Sequence, residues 1–161
     1  MELNEPVIRA LHQRLVDELP TAAAAVNERV DDGILLPDLD TTQVLTHIPP
    51  PSERLQPPTI GIGDGPSELE DDEGFAATGR HELLIVVYEQ SSDQDALAWL
   101  LRRWTSAIAT VALRGRNLGD GAWGTGLIKS VPGPTLVDNP DNPQEWLSWS
   151  GIRLWAKRDE E

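Results

Sequence analysis

His12, His47 and His81 are the only side chains in this sequence that could supply imidazole chemistry. They fall on an amphipathic stretch, in a Pro-rich segment and at the start of an apolar run. No His-x-x-x-His or His-x-His spacing puts two of them on one face, so each reads as a surface or capping residue and not as a metal ligand. Cysteine is absent, which excludes disulfides, thiolate metal sites and thiol nucleophiles. Asp38-Leu39-Asp40 and Glu70-Asp71-Asp72-Glu73 offer oxygen ligands for a hard cation, but the repeating Asp-x-Asp-x-Asp-Gly of a calcium loop does not occur. Gly61-Ile62-Gly63-Asp64-Gly65 and the stretch from Gly119 to Gly126 are Gly-rich, yet neither carries Gly-Lys-Ser or Gly-Lys-Thr. Each holds an aspartate that would repel phosphate, so turns are the better account. No Gly-x-Ser-x-Gly elbow is present. The expectation is a protein that is not an enzyme and binds no cofactor or metal.

The residues left over are those that recognise other proteins. Six of the eight aromatic side chains are tryptophan, and Trp146, Trp149 and Trp155 share the last apolar stretch. Strand alternation sends Trp149 and Trp155 to one side and Trp146, Ile152 and Leu154 to the other. Both faces are then apolar, so the second must meet another layer of this chain or another subunit. Trp99, Arg102 and Arg103 lie off the main apolar stripe of their helix, and Trp and Arg are enriched at interface hot spots.

The chain has 161 residues, 39% hydrophobic and 25% charged, the balance of one ordinary globular domain spanning 1–161. No apolar run approaches the roughly 18 residues of a membrane span. Met1-Glu2-Leu3-Asn4-Glu5 lacks the basic start of a signal peptide, and a soluble protein is expected. Charge is the anomaly: 13 basic against 27 acidic residues leave a formal −14, which disfavours direct nucleic-acid binding. Residues 1–80 hold sixteen of the acids against five arginines. Only Lys129 and Lys157 are lysines, a bias that fits a GC-rich coding genome or a salt-adapted host.

Ile8, Leu11, Leu15 and Leu19 predict a helix over residues 4–19, capped by Asn4 and interrupted at Pro20, with a short second helix over Thr21–Val30. Residues 34–58 form a Pro-rich insert (Pro37, Pro49, Pro50, Pro51, Pro57, Pro58) in which a short strand at Val44–Ile48 survives. Thr59–Gly63 is a brief strand. Residues 64–79 read as an acidic loop carrying Glu68, Glu70, Asp71, Asp72 and Glu73. The unbroken apolar run in Arg80–Glu89 is the strongest strand. A helix over Ser92–Arg114 follows, started by a capping box of Ser92 and Asp95, striped by Leu97, Leu101, Trp104, Ile108 and Val111, and stopped by Gly115. Asn117–Gly121 reads as a turn, Trp123–Val131 and Glu145–Ala156 as strands. The expected fold is α+β: a mainly antiparallel sheet with an N-terminal helix and one long helix on one face, and long Pro-rich and acidic loops.

This order of elements, and above all the stretch Glu82–Arg114 with its closing strand pair, resembles the tail terminator proteins of long-tailed viruses. The resemblance implies a small α+β subunit of a hexameric ring in the virion tail or neck. Such a ring caps the tail tube, stops its polymerisation and joins tail to head, while DNA passes through its lumen without specific binding. The implied partners are further copies of the chain, a tail tube protein and a head-completion or neck protein, with no membrane. Trp99, Arg102, Arg103, Trp149 and Trp155 would form the subunit interface, and Glu68, Glu70, Asp71, Asp72 and Glu73 would face the channel. The Pro-rich insert and the acidity depart from the family pattern. Alternative readings are a protein-binding adaptor, a neck or head-completion protein, and, least favoured, a metal hydrolase resting on Asp71 and Asp72.

Overall fold

A computed structural model describes residues 5–49, 56–64, 78–112, 117–119, 122–131, 137–138 and 146–159. For Pro6, Asp64 and residues 78–82, 117–119, 122–131, 137–138 and 153–159, it describes the backbone alone. Helix α1 runs Glu5–Glu28 and α2 runs Gln94–Ala112. The strands are β1 (Val44–Leu45), β2 (Thr59–Asp64), β3 (Thr78–Ser91), β4 (Asn117–Gly119), β5 (Ala122–Val131), β6 (Val137–Asp138) and β7 (Trp146–Asp159). Together they make an α+β fold with a mixed sheet: β1 pairs parallel with β2, and β2 pairs antiparallel with β3, in the order β1-β2-β3-β7-β5-β4.

Helix α1 exists because Val7, Leu11, Leu15 and Leu19 bury one stripe completely, while Arg9, Gln13 and Asp17 stay exposed on the opposite side. Arg9 pairs with Glu5, and Gln13 donates to Asp17, each one helical turn away. The expected break at Pro20 does not occur: one helix of 24 residues replaces the predicted pair. A proline inside a helix costs about 3 kcal/mol. Pro20 sits on the exposed side of the helix, while the buried stripe continues through Ala22 and Ala23. Burial beyond the proline outweighs the missing bond. The chain then turns at Gly33, whose φ of 79° suits glycine. Asn27 clamps the return at Leu36, accepting from its amide (2.7 Å) and donating to its carbonyl (3.0 Å).

Helix α2 buries Leu97, Leu100, Leu101, Trp104, Ala107, Ile108, Val111 and Ala112. Its cap corrects the expected one. The Asp93 carboxylate, and not Ser92, accepts from the amides of Asp95 (2.9 Å) and Ala96 (3.4 Å). The described helix reaches Ala112, and its predicted end at Arg114 and stop at Gly115 lie outside the described residues.

Strands β3 and β7 pair along their whole lengths, from Thr78 opposite Asp159 to Ser91 opposite Trp146, both longer than predicted. The strand expected over Val44–Ile48 is only the two residues of β1. Asn117–Gly119 is a strand paired with β5 and not a turn. Period-two alternation divides the sheet. Ile60, Ile62, Leu83, Ile85, Val87 and Ile152 join the helices in one core, whereas Val86 and Tyr88 are buried outside that cluster. On this second side lie Gly61 and Gly63, at positions where a Cβ would strike the His47 carbonyl at 2.7 Å and the Ile48 side chain at 2.6 Å. The Tyr88 hydroxyl donates to the Pro49 carbonyl at 3.1 Å. Residues 47–49 of the Pro-rich insert are therefore a strap over β2 and β3.

Candidate interaction surface

Trp99 and Leu35 are the exposed large apolar side chains among the described residues, at 46% and 54%. Trp99 projects from α2 on the side opposite its buried stripe, and two guanidinium groups lie over its ring, Arg102 at 5.1 Å and Arg103 at 5.5 Å from the centroid. The expected interface residues of α2 thus do come together. Their roles divide, however. Arg103 is only 12% exposed and is bound to the turn after α1, where both nitrogens of its fork reach the Asp32 carboxylate and one also donates to the Ile34 carbonyl. The hydrogen bond from Arg103 holds the Asp32 carboxyl below its ordinary value, and the same bond raises the guanidinium. Arg102 is exposed and makes no ion pair among the described residues.

This geometry makes Trp99 a held platform. One flank is fixed by Arg103 through Asp32, and the other carries Arg102, whose charge no carboxylate among the described residues answers. Such a surface suits a partner that brings apolar area together with a carboxylate. Asp32 is the member that sequence inspection missed, because an acid 71 residues away in the chain leaves no local spacing to read.

Trp149 stands opposite Tyr88 in the β3–β7 pairing and is half-buried. Trp146 and Ile152 pack with the helix core, so the two sides predicted for β7 are both apolar. A Cβ on Gly151 would touch Leu84 at 3.3 Å and the Trp149 ring at 3.5 Å, which places Trp149 on the strap side. Trp155 stands opposite Glu82 in the backbone register, and its side chain lies outside the described residues. Glu68, Glu70, Asp71, Asp72 and Glu73 also lie outside them.

Three further chemical candidates, His12, Asp40 and Glu89, are committed to structure. His12 Nε2 lies 2.8 Å from the Val44 carbonyl and ties β1 to α1. The Asp40 carboxyl is lowered by hydrogen bonds from the Thr42 hydroxyl and then from its amide, and it caps a turn of 3-10 helix at Thr41–Gln43. Glu89, only 3% exposed, accepts from the Trp104 indole at 2.7 Å and from the Gln90 amide at 3.1 Å. A shallow cavity of about 250 Å³ lies between α1 and residues 36–39, lined by Pro20, Ala23, Ala24, Asn27 and Leu39 among others. Among the described residues no three His, Asp or Glu side chains converge to hold a metal ion, and no helix is long and apolar enough to cross a membrane. No protein-family model and no curated protein matches the sequence.

Proposed function

We propose that this chain is a structural subunit that works by assembling with copies of itself, and that the assembly is a ring of the tail-terminator kind. The ring would cap a tail tube, end its polymerisation and join it to the head, within a virion. The observation that carries the reading is the placement of aromatic surface on two sides of the domain. Trp99 lies on the outer face of α2, and Trp149 on the side of the sheet away from the helices. A ring contact joins two different patches of one subunit, and a domain apolar on opposite sides provides them.

The order of a long strand, a long helix and a closing strand pair supports the family reading, which carries with it a sheet that is antiparallel in the main. In this reading Glu68, Glu70, Asp71, Asp72 and Glu73 face the channel, where negative charge keeps phosphates from the cumulative attraction that a basic lining would create. The tail tube and a head-completion or neck protein are the further partners, and no cofactor takes part.

Electron microscopy of the negatively stained protein, together with its mass in solution, tests the proposal. A six-membered ring with a central hole is the expected particle. A folded monomer at high micromolar concentration overturns it, and a monomer that takes up one heterologous protein favours an adaptor instead.

A further inference from the structure

Around Trp99 the exposed face of α2 has a charge order that matches its own reverse. Asp95 lies four residues before Trp99 and Arg102 three residues after it, and all three are exposed. At 1.5 Å and 100° per residue, Asp95 sits about 6 Å toward the N-terminus and Arg102 about 4.5 Å toward the C-terminus. Both are displaced to the same flank of Trp99, by about 40° and 60°. Arg103 is displaced to the other flank and is already satisfied by Asp32 and Ile34.

Consider a second copy brought against this face by a two-fold axis that crosses the helix at Trp99. Such an axis reverses direction along the helix and preserves the flank. It puts the second Trp99 on the first, in reach of stacking, and sets each Arg102 beside the Asp95 of the other chain. Parallel helices related by an axis along their length would instead reverse the flank and bring Arg102 against Arg103 of the other copy, a like-charge contact. We infer that the α2 face Asp95–Trp99–Arg102 is an isologous contact with a second copy of this chain, its helices antiparallel. The charge complementarity names the occupant: among the described residues no carboxylate pairs with Arg102, in a chain with 27 acids and 13 bases, and the reversed copy delivers one at the right height and flank. Arg103, fixed by Asp32, holds the platform in place before the contact forms, which lowers the ordering cost.

The contact goes beyond the ring reading, because a two-fold patch cannot also be the head-to-tail ring contact. The two readings therefore compete for Trp99: if both hold, the ring contact pairs the Trp149 side with a patch other than Trp99, and α2 joins two rings or two subunits face to face. Sedimentation velocity on the full chain and its variants tests this. Trp99→Ala should halve the particle mass and weaken association by about thirtyfold. Asp95→Arg and Arg102→Glu should each weaken it about tenfold, and the double reversal should restore most of the loss. Circular dichroism and melting of each variant establish that the fold is retained. A mass unchanged by Trp99→Ala, or a double reversal no better than the singles, overturns the two-fold contact and leaves the ring reading as it was. A particle never larger than two chains that dissociates in Trp99→Ala supports the contact and overturns the ring. A wild-type chain that never associates overturns both.

Discussion

Gly61 shows how much one missing side chain arranges. A methyl group there would meet the His47 carbonyl at 2.7 Å and the Ile48 Cα at 3.0 Å, both backbone atoms that cannot swing away. Gly61→Ala is expected to lower the unfolding free energy by roughly 1–3 kcal/mol in urea titration. Gly151→Ala, whose nearest neighbours are the Leu84 and Trp149 side chains, should cost less. Two titrations act at the same scale. Burial raises the pKa of Tyr88 above the ordinary tyrosine value of 10.0. Its neutral form is therefore favoured in the folded chain, and its contribution is complete below pH 10.0 and fades as pH rises through the native value. Tyr88→Phe should flatten the alkaline limb of a stability–pH curve. Asp32 behaves oppositely. Its lowered carboxyl contributes fully above the ordinary value of 3.8 and is lost as pH falls through the native one. Asp32→Asn should remove part of the acid limb.

At the scale of elements, α1 sets local propensity against packing, and packing prevails. Pro20 removes one hydrogen bond, yet the stripe from Val7 to Ala23 stays buried on both sides of it. Pro20→Ala should stabilise the chain by about 1–3 kcal/mol, since it restores the bond and propensity but gives back some unfolded-state entropy. Chemical denaturation measures this, and a loss of stability would show that the proline relieves strain in the helix. The start of α2 is misread from sequence for a related reason. Ser92, Asp93 and Asp95 all suit a helix N-terminus, and which one caps depends on where β3 releases the chain. Pairing with β7 holds β3 as far as Ser91, two residues beyond its predicted end, and so passes the cap to Asp93.

For the whole molecule the dominant long-range term is the charge of −14. Like charges repel across a compact domain, and salt shortens their reach from about 10 Å at 0.1 M to about 3 Å at 1 M. The melting temperature is expected to rise with sodium chloride over that range. A flat or falling response would mean that ion pairs such as Arg103–Asp32 outweigh the general repulsion. The same measurement bears on the acidic segment: neutralising Glu68, Glu70, Asp71, Asp72 and Glu73 together should reduce the salt dependence while leaving the helix core intact.

The features legible in the amino-acid order were those written in short-range periodicity. They include the apolar stripe of α2, the run Leu83–Tyr88, the two apolar sides of the last strand and the lack of thiol chemistry. The grouping of Trp99, Arg102 and Arg103 was legible too, because helical spacing alone brings residues three and four apart together. Contacts between distant segments were not. The Arg103–Asp32 pair, the strap of residues 47–49 over Gly61 and Gly63, the tie from His12 to Val44 and the survival of α1 through Pro20 each depend on where a remote stretch of chain comes to lie. Local spacing carries the geometry of a single helix or strand, whereas the energy that holds these contacts arises only once separate elements exclude water between them.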